Sequence, residues 1–355
     1  MRASLPLLAL ALGLLAMPLP AAEVFVSPSG DDANPGTLAK PFRTIGKAAS
    51  VMQPGDTCRL RGGVYRETVR PANSGAEGKP LRFSAYQGET VTVSGADPLT
   101  GAWTRHQGDI WKLATPLKFT QLFSDGKMLP EARWPNATSD DLMVFPRAAA
   151  GPGTDKFVLA DPNLPPGDWN NALILIWPGD RWTSQMRRVT EYQPGQSFRF
   201  AEDFVREQAD PYHQHDPYAP RPGNPYLLIG ALAGVDSPGE WFLDEATGTL
   251  YLQVAPGDMP ARHRLEAKQR DLACDLSKLS YVELRGLDIV GAAISMADAQ
   301  HCLVEDCRLR YVQHVREWTK KVRPPTLNVM SGQGNVWRRC LIAYAALAAL
   351  PRRQQ

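Results

Sequence analysis

An excess of either charge is missing from this 355-residue chain: 39 lysines and arginines stand against 37 aspartates and glutamates, leaving +2. A nucleic-acid binder needs a basic excess on one face, so nucleic acid is not an expected partner. Long apolar runs are also scarce. The stretch from Leu5 to Met17 is shorter than the roughly 20 apolar residues that cross a bilayer, and no later run of that length is uncharged, so no membrane span is expected. Metal-type spacing is thin as well. None of the five cysteines forms a CxxC, and His213, His215 and Asp216 stand in DPYHQHDPYAPRPGNP, whose prolines point to a surface loop. Asp31 and Asp32 beside Asn34-Pro35-Gly36 offer oxygens to calcium, but they read first as a turn ahead of a helix. No metal or other cofactor is expected.

What is present begins with Arg2, the apolar run and small residues up to Ala22, the form of a secretory signal peptide over 1–22. The mature chain is therefore expected to be secreted or periplasmic. Glycine (29) and proline (31) are frequent and spread among short β-branched and aromatic runs, the pattern of many strands joined by tight turns. Helical spacing shows in FRTIGKAASVM, with Phe42, Ile45, Ala49 and Met52 on one face and Pro54-Gly55-Asp56 as the stop. The odd cysteine set (Cys58, Cys274, Cys302, Cys307, Cys340) cannot all pair and reads as small buried apolar residues.

Repeats decide the fold class. Leu284, Leu287 and Ile289 match Val304, Cys307 and Leu309 twenty residues on, and Trp337, Cys340 and Ile342 a further 33 on. Each unit is an apolar residue, two turning residues, then alternating apolar positions, as in short stacked strands. This register predicts an interior ladder of Leu287, Cys307 and Cys340. Nearer the start, Cys58 and Leu60 match Leu81 and Phe83, and Val69 matches Val91. Between Val93 and Val282 the period vanishes for too long to be a loop. Hairpin signals at Asp125-Gly126 and Gly248, and the apolar LILIW, predict a β-rich insert there. The organisation is therefore 1–22 signal peptide, 23–95 N-terminal cap and first coils, 96–270 inserted β-rich domain, 271–345 further coils and 346–355 an aberrant tail. The fold class is all-β, a right-handed parallel β-helix with an N-terminal capping helix.

The opening FVSPSGDDANPGTLAKPFRTIGKAASVMQPGDTCRLRGGVYRETV resembles the N-terminal capping segment shared by β-helical glycoside hydrolases and β-helical alginate and chondroitin lyases. DIWKLATPLKFTQLFSDGKMLPEARWPN and PGEWFLDEATGTLYLQV resemble the inserted β-domain of the hydrolases that release xylose, fucose or galactose. The resemblance implies a polysaccharide or oligosaccharide partner and further coils carrying most catalytic acids. Since the chain instead turns into AALAALPRRQQ, it reads as a truncated or frameshifted product with little or no activity.

Hydrolysis needs two carboxyl groups roughly 5–9 Å apart on one face. With coils about 4.8 Å apart, acids at one outward position in neighbouring coils would satisfy this. Instead Arg285, Glu305 and Arg338 fall in one column, and Asp288 falls against Arg308, as a charge ladder requires. Asp288, Glu305 and His314 remain the catalytic candidates. The longer step to the next coil leaves an excursion over HVREWTKKVRPPT, where Trp318 would stack on a sugar and Lys320 and Arg323 would hold a carboxylate or a leaving oxygen. Trp103, Trp111, Trp134, Trp177, Trp182 and Trp241 sit beside apolar strand residues and are expected in the insert's core. A uronate lyase using a basic cluster, and a non-catalytic carbohydrate-binding scaffold, are the alternatives to hydrolysis.

Overall fold

The structure, a computed structural model, describes residues 21–139, 146–201, 218–312, 314 and 330–345. Three parallel sheets stack along one axis. The first holds Glu23–Val26, Thr57–Leu60, Leu81–Ala85, Val282–Arg285, Leu303–Glu305 and Val336–Arg338 in that order. The second runs from Gly63–Tyr65 through Val91–Ser94, Leu287–Val290 and Arg308–Arg310 to Leu341–Ala343. The third comprises Leu272–Asp275, Ala293–Gln300 and Met330–Gln333.

Alternation puts one column of each sheet inside. Cys58, Phe83, Leu284 and Val304 are successive partners in the first sheet, and Tyr65, Val93, Ile289 and Leu309 in the second, all in one buried cluster. The corner between these sheets needs a left-handed backbone in every late coil. Gly286 (φ 67°) meets this freely, whereas Asp306 (φ 55°) and Arg339 (φ 52°) adopt it with side chains. Rings also stack coil on coil: Tyr311 over Tyr344 and Tyr281 over His301, each at 5.0 Å between centroids and 15° between planes.

The helix is Ile45–Val51, with Thr44 as N-cap and Ile45, Ala48 and Ala49 buried in the core between the parallel sheets. Glu67 accepts from the Ile45 and Gly46 amides at 2.9 and 2.7 Å, so the orphan donors of the first turn are satisfied. Asp32 Oδ1 accepts from the Arg43 and Thr44 amides and Oδ2 from the Thr44 hydroxyl. Those bonds hold the carboxylate below the usual range against the opposing pull of desolvation. It serves the turn before the helix.

The register of the first coils corrects the sequence pairing. Cys58 lies opposite Phe83, not Leu81, and Leu60 opposite Ala85. A two-residue slip keeps every inward residue inward, so alternation could not detect it. Val69 bridges Cys274 at the third sheet, while Val91 pairs with Gly63. Cys307 is buried as expected, but Cys340 is partly exposed.

Between Ser94 and Leu272 the sheets become antiparallel. Ala96–Pro98, Leu265–Lys268, Leu122–Ser124 and Lys127–Met128 form a stem sheet. A second sheet joins Trp241–Asp244, Thr249–Gln253, Ile110–Ala114 and Thr104–Gln107, and a larger one is built around Leu173–Ile176, Gln185–Gln193 and Pro225–Ile229. The hairpins at Asp125-Gly126 and Gly248 form as their sequences predict. The stem docks on the coils through Ala96 and Phe123 against Tyr311, with Gln121 donating to the Tyr311 carbonyl at 3.3 Å. Trp241 is in the insert core as expected, but Trp182 is 61% exposed and opposite Tyr218.

One loop clamp in the stem gives a pH prediction. His263 Nδ1 meets Asp125 at 2.8 Å and Nε2 meets Asp258 at 2.7 Å. Hydrogen bonding to Asp258, then Asp125, raises the imidazole above 6.5. The Arg264 amide and His263 hold Asp125 down, and His263 holds Asp258 down. The histidine's contribution is complete below its unfolded value and is lost as pH rises through its raised one, while the carboxylates' contribution fails as pH falls below about 4. His263→Gln should therefore lower the melting temperature most between about pH 4.5 and 6.5, with a gap that narrows by pH 9. A gap independent of pH in thermal melts would refute the clamp.

Candidate functional site

The corner between the first and second sheets opens into a cleft of about 400 Å³. Its walls come from two sets of coils. Ser84 to Val91 turn ahead of the insert, and Arg285, Gly286, Asp288, Asp306 and Arg308 follow it. Parallel pairing in register makes this possible: Asp288 lies directly opposite Thr92 on one side and Arg308 on the other.

The charged side chains form two assemblies. Arg308 grips Asp288 through Nε and Nη2, both at 2.6 Å, a bidentate fork that raises the arginine's pKa. Beside it, Glu305 is 2% exposed in its side chain and meets Arg285, Arg338 at 2.5 Å and Arg339 at 2.6 Å. Desolvation pulls Glu305 upward, but hydrogen bonding to Arg338 and the charges of Arg285, Arg338 and Arg339 outweigh it, so its pKa is lowered. Arg285 also reaches Glu283, which pairs with Arg82 at 2.9 Å, and Arg339 reaches Asp306 at 2.7 Å. Across the cleft Glu89 accepts from the Gly62 amide and Arg61, and these hold it ionised.

Glu305, Asp306 and Glu89, each with a lowered pKa, are acceptors held in the charged form. Such a group can orient sugar hydroxyls or bind an arginine, but it cannot deliver a proton to a leaving oxygen, which takes an acid with a raised pKa. Among the described residues Glu240 is the acid pushed upward, to about 8, by burial against the smaller effect of amide donors. It lies in the insert, 1% exposed, accepting from the Asp236 and Ser237 amides.

Of the sequence candidates, the structure brings Asp288 and Glu305 to adjacent sheets at one corner, each with arginine partners. His314 is half-buried just beyond the second sheet and does not line the cleft. Trp318, Lys320 and Arg323 lie outside the described residues, as do His213, His215 and Asp216. Sequence reasoning missed Asp306, Arg339 and Glu89. The first two were accessible, since they follow Glu305 and Arg338 at the same 33-residue step. Among the described residues no group of His, Cys, Asp and Glu is arranged to hold a metal ion, and no helix is long and apolar enough to cross a membrane.

With this geometry in view, the similarities to known proteins can be weighed. In fold the chain resembles a glycoside hydrolase. That solved structure superposes with a TM-score of 0.63 at 20% identity, covering 82% of this chain and 63% of its own. Residues 28–72 match the family described as "Protein of unknown function (DUF1565)". An uncharacterized protein, YwoF, of Bacillus subtilis (strain 168) is 44% identical over 72 residues, 20% of this chain and 15% of its own length. The pectate lyase PEL9 of Emericella nidulans is 37% identical over 79 residues, 22% of this chain and 19% of its own. The chain thus spans less than a fifth of the length of either curated relative. The parallel β-helix architecture is common ground between these similarities and the sheets described above.

Proposed function

We propose that this chain is an exported, carbohydrate-active β-helix protein related to the β-helical glycoside hydrolases, with the corner cleft holding a polysaccharide. The supporting observation is the combination of a three-sheet parallel stack and an antiparallel insert, which superposes on a glycoside hydrolase over 82% of the chain. In this reading the winding is right-handed, as nearly all parallel crossovers are. The helix Ile45–Val51 covers the first coil, where strand edges would otherwise be open. Asp288 and Glu305 stabilise the corner and align sugar hydroxyls through their arginines, and they do not form the hydrolytic pair.

Elimination on a uronate is the second reading. The pectate lyase similarity favours it, as do the Arg285 and Arg308 guanidiniums at the cleft, which suit a carboxylate. Native electrophoresis through gels containing xylan, fucosylated pectin, alginate or chondroitin sulfate tests the proposal. Retardation by at least one polymer, weakened about tenfold by Arg308→Ala, is expected. Migration unaffected by all four polymers would refute it. Retardation by xylan favours the hydrolase reading, and retardation confined to the uronate polymers favours the lyase.

A further inference from the structure

The insert contains a second and larger cleft, about 1150 Å³, that the corner site does not involve. One wall is the outer face of the sheet formed by Trp241–Asp244, Thr249–Gln253, Ile110–Ala114 and Thr104–Gln107. In WFLDEATGTLYLQ the residues Trp241, Leu243, Leu250 and Leu252 point into the insert core, so Phe242 and Tyr251 fall on the opposite face, directly paired and half-buried. Their rings stack at 6.4 Å and 24°, and His106 meets Tyr251 edge-on at 5.0 Å. The opposite wall carries short polar groups from the loop before Leu173–Ile176, with Arg188 from Gln185–Gln193. Asp168 is held by the Asn170 amide and side chain at 2.9 and 2.8 Å, and Arg188 donates to the Asn171 carbonyl at 2.7 Å.

An aromatic platform facing fixed carboxylate and amide groups is suited to a sugar ring, whose C–H face packs on the π-system while its hydroxyls bond at the edge. Charge then narrows the ligand. Asp109, Asp168, Asp236, Asp244 and Glu245 line the cleft against one arginine, Arg188. Such a field repels uronates and sulfated sugars. We infer that the insert cleft is a binding site for neutral oligosaccharides, using Phe242 as the stacking residue and Asp168 as a hydroxyl acceptor. The inference rests on the carbohydrate reading above but on different residues, so the two can fail separately.

The test is calorimetric titration of the full chain with xylohexaose, a neutral galactan oligosaccharide and hexagalacturonate. A neutral ligand should bind, with Phe242→Ala and Asp168→Ala each weakening it about tenfold or more. Hexagalacturonate should bind this cleft at least about tenfold more weakly, with the difference shrinking as salt rises. Asp168 is exposed and outside the core, so its variant reports on binding even if Phe242→Ala destabilises the sheet. Neutral-sugar affinity unchanged in folded Phe242→Ala and Asp168→Ala would overturn the inference, leaving Phe242 and Tyr251 as a cross-strand pair only. Failure of all three sugars to bind would overturn it, and failure of every polymer to retard the protein would remove the carbohydrate reading beneath it.

Discussion

Phe83→Ala should lower the free energy of unfolding by about 3–5 kcal/mol, the usual result of deleting a fully buried phenylalanine. Phe83 is 1% exposed and lies between Cys58 of the preceding coil and Leu284 of the coil after the insert. Its ring therefore packs where two parts of the chain about 200 residues apart are joined. Cys58 is too small to fill the void, and Leu284 is fixed by its own pairing with Val304, so the cavity should stay open. Denaturant unfolding followed by far-ultraviolet circular dichroism measures the loss. Tryptophan fluorescence, with Trp169 and Trp241 buried in separate insert cores, should shift less. A loss below about 1 kcal/mol would mean that the coils before and after the insert do not share this core.

Gly95→Val should cost about 3 kcal/mol, at the upper end of what overpacking does in a tight site. Gly95 is where the chain leaves the second sheet for the insert. Its amide donates to the Val290 carbonyl at 2.8 Å, and its carbonyl accepts from the Gln269 and Arg270 amides at 2.8 and 2.9 Å, where the chain returns. A Cβ here would lie 2.5 Å from the Gly291 carbonyl oxygen and 2.7 Å from that of Arg270. Both are backbone atoms in paired segments and cannot swing aside as a side chain could. The bonds that close the base of the insert must stretch, so limited proteolysis should cut the stem segments 96–98 and 265–270 faster than in the parent. A variant with unchanged melting and unchanged cleavage would contradict the junction described.

The charge columns were legible in the sequence because parallel strands in register turn coil length into a simple offset. Arg285, Glu305 and Arg338 fell together on a spacing argument alone, and so did Asp288 with Arg308. The register at Cys58 was not legible, since a shift of two leaves inside and outside unchanged. Hairpins inside the insert were readable from Asp125-Gly126 and Gly248, whose turn chemistry is local. The arrangement of its sheets was not, because partners such as Leu122–Ser124 and Leu265–Lys268 lie some 140 residues apart with no repeat to align them. The insert cleft escaped for the same reason: Phe242 and Asp168 come to line one cleft only through tertiary packing.

The account turns on Asp288 and Glu305 being members of an ion-pair ladder and not a catalytic pair. The most direct measurement is turnover by the parent chain, Asp288→Asn and Glu305→Gln on xylan, fucosylated pectin, alginate and chondroitin, following reducing ends and the absorbance of unsaturated product. The account predicts little or no turnover by the parent, a rate that both variants match within about threefold while melting at lower temperature. A loss of about a thousandfold or more in either variant, with its fold and polymer binding intact, would contradict it and make that carboxylate part of the chemistry.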